Sequence, residues 1–264
     1  MRIPGVHLRP IVSMSQRNPK IVAFIPARME SSRFPGKPLA DLHGKPMVVR
    51  VLQRTERSPL VDEVYVVTDS RTIIEAVEKH GGRAILTSKD HPSGTDRIAE
   101  AASSIRLGSD AIVVNVQGDQ PLIDPAMVEE VVRPLLKDPT IPMSTLIYRI
   151  IREQEIHDPN AVKVVADSEG YAIYFSRATI PFFRDKDRDG IYFKHHGIYA
   201  YRNDFLQRFV RLPQGCLEKA EHLEQLRAIE NGYRIMTVTT DKDSIEVDTP
   251  QDLERVKETW GEID

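Results

Sequence analysis

Cysteine is almost absent from this sequence of 264 residues, since Cys216 stands alone. A single cysteine excludes an internal disulfide and every zinc or iron–sulfur site that is built from several cysteines. Such sparing use of cysteine is typical of proteins in a reducing compartment. We therefore expect a cytoplasmic location.

Long hydrophobic runs and an excess of positive charge are also lacking. No apolar run approaches the ~18 residues that a membrane-spanning helix requires, so we predict no association with a membrane. The 36 Lys and Arg residues are outnumbered by 39 Asp and Glu residues, and the formal net charge is −3. Because a generic nucleic-acid-binding protein usually carries a basic excess, we predict no nucleic-acid partner and only a local cationic site.

The first residues do not have the pattern of a folded segment. Pro4, Pro10 and Pro19 interrupt them, and there is no apolar core of about 7–15 residues as in a signal peptide. We predict that residues 1–19 form a flexible N-terminal extension and that residues 20–264 form a single domain.

The rest of the sequence alternates short apolar runs with stretches of helical period, which indicates an α/β fold with a mostly parallel, Rossmann-like sheet flanked by helices. Ile21–Ile25 and Ala111–Val116 are predicted strands, and the second has the composition of a strand buried on both faces. Between about 140 and 205, strand-like runs follow one another without helices, which indicates an antiparallel or mixed insertion. Leu217–Glu230 is predicted to be one helix.

The loop after the first predicted strand carries three cations within ten residues, Arg28, Arg33 and Lys37. Ligands of open α/β sheets bind beyond the carboxyl ends of the strands, so this loop is suitably placed to neutralise a triphosphate. A Walker motif would need Gly at Ser31 and Ser or Thr at Pro38, and no Gly-x-Gly-x-x-Gly is present. A solvated basic loop is the alternative that these residues alone leave open.

Two aspartates are candidate ligands for a divalent cation. Asp119 follows the strand Ala111–Val116, and Asp248 precedes the helix predicted from Asp252 onward. Mg²⁺ in proteins is typically held by one or two carboxylates together with substrate phosphates, which fits this pair. The alternative for Asp119 is a turn-forming aspartate. Asp248 lies just before the predicted N-cap, Thr249, and is not needed for capping.

A third segment, His91–Arg97, lies where a loop enters a predicted helix. Its small hydroxyl residues Ser93 and Thr95, together with free backbone N–H groups, would be able to hold a base or a phosphate. Ordinary capping of the helix by either hydroxyl is the alternative, and the residues alone favour it.

Taken together and in chain order from about 21 to 258, these segments resemble the CMP-Kdo synthetase family, the 3-deoxy-manno-octulosonate cytidylyltransferases, where Kdo is 3-deoxy-manno-octulosonate. The matching motifs are Pro-Ala-Arg-x4-Arg-x-Pro-Gly-Lys-Pro-Leu at 26–39, Ser-Gly-Thr-Asp-Arg at 93–97, Asn-Val-Gln-Gly-Asp at 115–119, Asn-Ala-Val-Lys-Val-Val at 160–165, Tyr-Phe-Ser-Arg-Ala-Thr-Ile-Pro at 174–181, His-x-Gly-Ile-Tyr at 195–199, Leu-Glu-Gln-Leu-Arg at 223–227 and Val-Asp-Thr-Pro at 247–250.

This resemblance implies a nucleotidyltransferase-type fold, with CTP and Kdo as substrates, Mg²⁺ as cofactor, and CMP-Kdo and pyrophosphate as products for lipopolysaccharide biosynthesis. It also implies a Gram-negative cytoplasm and a homodimer whose interface includes the strand-rich insertion. The residues implied for each role are Arg28, Arg33 and Lys37 for the triphosphate; Ala27, Ser93, Thr95 and Gln117 for cytidine; Asp119 and Asp248 for magnesium; and Arg177, His195, Tyr199, Glu221 and Gln225 for the sugar.

The residues themselves support the sugar-side assignment only in part. Glu218, Glu221 and Gln225 recur at helical spacing and are predicted to form one polar stripe, which a solvated helix face would explain equally well. Arg177 has the chemistry to pair with the carboxylate of an acidic sugar, although a surface arginine is the alternative. His195 and the adjacent His196 must point to opposite faces of a strand, so at most one enters the pocket; we assign His195.

Three rival activities remain open at this point. A CMP-sialate synthetase or another cytidylyltransferase would share the phosphate loop, and the sugar-side segments at 174–199 and 217–227 favour Kdo over sialate. The sequence does not distinguish Kdo from its 8-amino analogue. A catalytically silent nucleotide-binding protein would be expected to lack one of the two metal carboxylates, whereas both are present.

Overall fold

The computed structural model describes residues 18–31, 33–185 and 190–260. The predicted extension at 1–19 therefore lies almost wholly outside the described residues. The strands in the described part are β1 Ile21–Ala27, β2 Asp41–Leu42, β3 Lys45–Pro46, β4 Glu63–Thr68, β5 Ala84–Leu86, β6 Ile112–Asn115, β7 Met143–Arg149, β8 Lys163–Ala166, β9 Ala172–Ser176, β10 Phe193–Arg202 and β11 Met236–Thr240. The helices there are α1 Met47–Thr55, α2 Arg71–Lys79, α3 Gly94–Ser104, α4 Pro125–Lys137, α5 Glu153–His157, α6 Asn203–Phe209, α7 Cys216–Glu221, α8 Leu226–Glu230 and α9 Pro250–Trp260.

One large sheet has the strand order β11-β7-β10-β6-β1-β4-β5. Strands β6, β1, β4 and β5 run parallel to one another, whereas β10 is antiparallel to both of its neighbours, β6 and β7. The hairpin of β8 and β9 extends from the start of β10. The α/β fold, its mostly parallel half and its mixed strand-rich insertion are therefore confirmed.

The sheet is covered by helices on both faces, and this packing holds its central strands in place. Along β1, Ala23 and Ile25 belong to a hydrophobic cluster with α1 and α4, whereas Val22 and Phe24 belong to the opposite cluster with α3 and α6. A strand buried on both faces has little freedom to shift in register. The loops that follow β1 and β6 therefore start from a rigid edge.

The prediction of one helix over Leu217–Glu230 is wrong. The chain forms α7 and α8, with His222 between them in the left-handed conformation at φ 51°. The side chain of Arg177 donates from Nε to the carbonyl of Glu221 at 2.7 Å and thereby provides a partner for a carbonyl group at the end of α7. The helical periodicity of residues 217–230 gives no sign of this long-range contact.

Helices were also missing from the sequence-based assignment. The 13-residue α4, the short α5 between β7 and β8, and α6 after β10 were not predicted. In particular, α5 contradicts the expectation of strands without intervening helices. It has only five residues and no buried side chain, so it lacks the apolar periodicity by which a helix is recognised in a sequence.

Candidate active site

The loop after β1 is closed on itself by its backbone. The N–H of Gly36 donates to the carbonyl of Met29 at 3.0 Å, and Gly36 has φ +74°, a conformation that favours glycine. A single 3₁₀ turn at Lys37–Leu39 follows immediately. The conformation of this loop therefore fixes the backbone position of Lys37.

A cavity of about 380 Å³ opens between this loop and the residues that follow β6. It lies where the parallel strands end, which is the edge at which open α/β sheets bind their ligands. Its lining residues are Pro26, Ala27, Arg28, Glu30, Ser31, Arg33, Lys37, Pro38, Gln117, Gly118 and Asp119. All three predicted triphosphate cations and two of the predicted cytidine residues therefore face one space.

Lys37 joins the two aspartates that were predicted to meet. Its Nζ lies 2.8 Å from Oδ2 of Asp119 and 3.4 Å from Oδ1 of Asp248, so these two oxygens are at most the sum of the distances, 6.2 Å, apart. Arg33 pairs with the other oxygen of Asp248 at 3.0 Å. Two carboxylates 129 positions apart in the chain therefore converge on the cationic side of the cavity.

The backbone holds Asp248 at this position. The N–H of Val247 donates to the carbonyl of Asp119 at 2.8 Å, which ties the two aspartate segments together. Thr249 and Asp252 cap α9 reciprocally, with the Thr249 N–H donating to Asp252 Oδ2 at 2.9 Å and the Asp252 N–H to Thr249 Oγ1 at 3.3 Å. As expected, the cap does not use the Asp248 carboxylate.

These carboxylates suit a magnesium ion that shares its coordination with a substrate. Within the ranges that the structure describes, no three His, Cys, Asp or Glu side chains are grouped to hold a metal by themselves. Mg²⁺ characteristically keeps several waters and binds through one or two carboxylates plus phosphate oxygens. The donor set of Asp119 and Asp248 fits that mode.

On the nucleotide side, the predicted residues come from three segments. Ser93 is the N-cap of α3 and accepts a hydrogen bond from the Asp96 N–H, so its capping role is realised. Thr95 donates its hydroxyl to Glu224 Oε2. Gln117 donates from Nε2 to the carbonyl of Gly197 at 2.8 Å, which orients its amide beside the cavity.

On the sugar side, Arg177 and Glu221 bind each other's segments. Arg177 donates from its backbone N–H to Glu221 Oε2 at 2.9 Å and from Nη1 to the Pro159 carbonyl at 3.0 Å. Glu221 also accepts from the Ser176 hydroxyl at 2.6 Å. Both predicted sugar residues thus stabilise the junction between β9 and α7.

The predicted polar stripe of Glu218, Glu221 and Gln225 does not exist, because the helix is broken at His222. Glu218 is buried and accepts from Arg227 Nε at 2.8 Å. Gln225, the N-cap residue of α8, is also buried, and its Nε2 has no hydrogen-bond partner within the described protein. A donor in that state is the type of group that a polar ligand satisfies.

His195 and Tyr199 lie together on one face of β10, with ring centroids 5.2 Å apart. His195 Nε2 is 3.0 Å from the Thr145 hydroxyl. His196 is on the opposite side of the strand, buried, with its Nε2 3.6 Å from Asp243. The alternation expected for the adjacent histidines is confirmed.

Known proteins are similar to this chain over most of its length. The cytidylyltransferase family model matches residues 22–237. A 3-deoxy-manno-octulosonate cytidylyltransferase of Syntrophus aciditrophicus (strain SB) is 59% identical over 239 residues, which cover 90% of this chain and 96% of the relative. The chain belongs to the 3-deoxy-manno-octulosonate cytidylyltransferase family.

Further comparisons agree with this family. A 3-deoxy-manno-octulosonate cytidylyltransferase of Geobacter sulfurreducens is 54% identical, covering 90% of this chain and 98% of the relative. The solved structure of CMP:2-keto-3-deoxy-manno-octonic acid synthetase complexed with CTP matches with a TM-score of 0.87 and 43% identity, covering 92% of this chain and 99% of that chain. The resemblance stated from the motifs is therefore confirmed.

Two carboxylates of this cytidylyltransferase were missed in the sequence analysis. Glu224 accepts the Thr95 hydroxyl, and desolvation raises its pKa above the usual value. Glu246 accepts from Gln120 Nε2 at 3.0 Å, and desolvation together with Asp119 and Asp248 raises its pKa to about 7. The available signal for Glu246 was its position two residues before Asp248; Glu224 stands inside the family motif at 223–227 but was not assigned a role.

Gly118 has no space for a side chain between β1 and the Asp119 loop. A Cβ atom there would lie 2.7 Å from the backbone carbonyl oxygen of Pro26, which only a shift of the strand end would relieve. We expect Gly118→Ala to lower the free energy of unfolding by about 1–3 kcal/mol, the usual cost of overpacking. Urea denaturation measures this, with Gly108→Ala as a control because a Cβ there meets only the Asp110 side chain. Equal destabilisation by the two variants would contradict the account.

The two histidines of β10 should make the folded protein less stable in acid. Burial lowers the pKa of His195 to about 3, and burial lowers that of His196 to about 4. Because the unfolded chain takes up these protons near pH 6.5, each histidine lowers the free energy of unfolding as the pH falls from about 6.5 toward 4, by about 1.4 kcal/mol per pH unit. We expect His196→Asn to flatten this decline in urea denaturation between pH 7 and pH 5. Parallel declines in variant and wild type would contradict the prediction.

Proposed function

We propose that the protein transfers CMP from CTP to the anomeric hydroxyl of Kdo, giving CMP-Kdo and pyrophosphate for lipopolysaccharide biosynthesis. The observation that carries this proposal is the convergence of Lys37, Asp119 and Asp248 beside a cationic cavity, in a chain of this family. Such an arrangement has the charges that phosphoryl transfer requires, namely cations for phosphates and carboxylates for a metal.

The triphosphate would be held by Arg28, Arg33 and Lys37. These three side chains line the same cavity, and guanidinium groups bind phosphate oxygens in a bidentate manner. The cytidine would lie against the segments that carry Ala27, Ser93, Thr95 and Gln117. Ala27 is the last residue of β1 and is buried, so it would contribute backbone and surface to that contact.

We propose Mg²⁺ as the cofactor, held by Asp119 and Asp248. When bound there, magnesium would lower the pKa of the attacking sugar hydroxyl and polarise the phosphoryl group. The protein's own residues carry the other requirements. Arg28 and Lys37 offset the charge that grows on the departing pyrophosphate, and an in-line attack on the α-phosphorus needs alignment and no covalent intermediate with the protein.

The sugar would be bound by Arg177, His195, Tyr199, Glu221 and Gln225. The buried amide donor of Gln225, which has no partner within the described protein, supports its part in this proposal. His195 is kept neutral by its lowered pKa, so it would contribute a hydrogen bond and not a charge. Arg177 and Glu221 would also shape the pocket, since both are engaged with each other's segments.

We propose that the protein is a homodimer and that residues 140–205 contribute to the interface. Large apolar side chains are exposed in this region; Phe182 is 88% exposed and Ile151 is 72% exposed. Apolar surface of this kind is typical of an interface between proteins. Sedimentation velocity would test the dimer, which a monomer at micromolar concentration would contradict.

A cytoplasmic location is the setting that we propose. Cys216 is a single cysteine, in agreement with a reducing compartment. In the described part of the chain, every helix is too short or too polar to cross a membrane. The proposed partners are the two substrates, CTP and Kdo. The proposed reaction requires neither a nucleic acid nor a membrane.

The release of pyrophosphate from CTP in the presence of magnesium tests the activity. Kdo, its 8-amino analogue and sialic acid are compared as acceptors at equal concentration. We expect rapid release with Kdo. Faster release with the 8-amino analogue or with sialic acid would reassign the sugar. No release with any of the three would favour a nucleotide-binding protein without activity.

A further inference from the structure

The segment before α3 is fastened to that helix by one carboxylate. Glu100, on the second turn of α3, accepts from the Ser88 N–H at 2.9 Å and contacts His91 Nε2 through the same oxygen. Although desolvation opposes it, these hydrogen bonds hold the pKa of Glu100 below its usual value. Residues 88–91 are therefore held against the same helix whose N-terminus carries Ser93 and Thr95.

The backbone of this segment contacts the phosphate loop. Arg28 donates from Nη2 to the carbonyl oxygen of His91 at 3.0 Å, across 63 positions in the chain. Arg28 lines the cavity in which the triphosphate would lie. One donor of its guanidinium group is therefore fixed on the carbonyl of a residue whose side chain contacts Glu100.

We infer that His91 and Glu100 are positioning residues that hold Arg28 in the orientation required to bind a nucleoside triphosphate. The inference rests on the proposed function, because it assigns the guanidinium group of Arg28 to the phosphates. A guanidinium group has five donors in one plane. One donor fixed on the His91 carbonyl restricts the plane in which the others meet phosphate oxygens.

A purely structural role is the alternative explanation for this pair. In that case His91 and Glu100 would serve only to fold the segment that leads to Ser93 and Thr95. Loss of the pair would then weaken CTP binding whether or not Arg28 is present. If the pair acts through Arg28, its loss has no further effect once the guanidinium group has been removed.

Equilibrium binding of CTP in magnesium buffer without sugar, measured by isothermal titration calorimetry, tests the inference on the full-length protein. We expect His91→Ala to raise the dissociation constant about tenfold, since hydrogen bonds to charged groups contribute enough for a change of that size. Glu100→Gln should give a smaller rise, because it keeps an acceptor for the two donors. In the Arg28→Met background, His91→Ala should leave the constant unchanged.

His80→Ala is the matched control, because the His80 ring also makes a hydrogen bond to an oxygen of a helix, the Ala76 carbonyl at 2.8 Å, but lies at the C-terminus of α2. It should bind CTP as the wild type does. Thermal unfolding of each variant checks that the fold is retained.

Equal dissociation constants for His91→Ala and wild type would overturn the inference, as would an undiminished effect of His91→Ala in the Arg28→Met background. If the wild type itself fails to bind CTP, the proposed function fails together with the inference. CTP binding and pyrophosphate release by the wild type, combined with no effect of His91→Ala, would remove the inference alone.

Discussion

Replacing Asp119 by asparagine should lower the rate of pyrophosphate release by about 10²–10³-fold, the usual cost of removing one preorganised electrostatic group from an active site. The substitution keeps the shape of the side chain and removes its charge. The fold should be retained, because the segment is held by the Asp119 carbonyl, which accepts the Val247 N–H at 2.8 Å and is unaffected by the change.

The measurement is the steady-state rate at saturating CTP and Kdo over a range of magnesium concentrations, together with thermal unfolding. Asp204→Asn is a suitable control, since the Asp204 carboxylate accepts only from the neighbouring Phe205 N–H among the contacts described for it and belongs to α6. We expect that control to retain the wild-type rate. An almost fully active Asp119→Asn protein would remove Asp119 from the proposed metal site.

The placement of these aspartates shows which parts of the fold are readable in a sequence. Ile21–Ile25 and Ala111–Val116 are apolar runs of strand length, a composition that predicts strands buried in a parallel sheet, and the structure buries both runs. Once two strands are parallel, the residues that follow them share one edge. The convergence of Lys37 and Asp119 was therefore predictable, because each follows the carboxyl end of a central strand.

The sugar side was not readable in the same manner, because contacts distant in sequence determine it. Whether Glu221 faces a ligand depends on the break at His222, where Arg177, 45 positions away, also donates to the His222 carbonyl. No local pattern encodes such a contact. The same holds for Glu246, whose burial and hydrogen bond from Gln120 bring it beside the distant Asp119 segment.

The ion pairs of Lys37 also could not be predicted from the sequence. The loop motif predicted a cation for the phosphates, whereas the structure places that ammonium group between the two carboxylates proposed for the metal. The ammonium group of Lys37 and a divalent cation would both bind the carboxylate oxygens of Asp119 and Asp248. We therefore expect Lys37 and magnesium to compete for Asp119 and Asp248 until the triphosphate provides Lys37 with other partners.

Lys37→Met should consequently have two opposite effects. Divalent-cation binding to the protein without nucleotide should become at least about tenfold tighter, since the Coulomb energy of two charges at 3.4 Å is ~5 kcal/mol at an effective dielectric constant of 20, and solvent screening leaves part of it. The rate of pyrophosphate release should fall by about 10²–10³-fold, because the variant cannot offset the charge of the leaving group.

Binding of Mn²⁺ as a paramagnetic probe, followed by electron paramagnetic resonance in the absence of CTP, measures the first effect directly. Lys45→Met is the matched control, because Lys45 donates to Gln53 at 3.0 Å and contacts no carboxylate among the described residues; its affinity for Mn²⁺ should equal that of the wild type. If Lys37→Met binds Mn²⁺ no more tightly than wild type, Lys37 does not compete with the ion, and the two would occupy different oxygens. If it binds Mn²⁺ more tightly, Lys37 competes with the ion in the wild type. Nucleotide and metal would then bind together, because the triphosphate would pair with Lys37 and leave Asp119 and Asp248 to the metal.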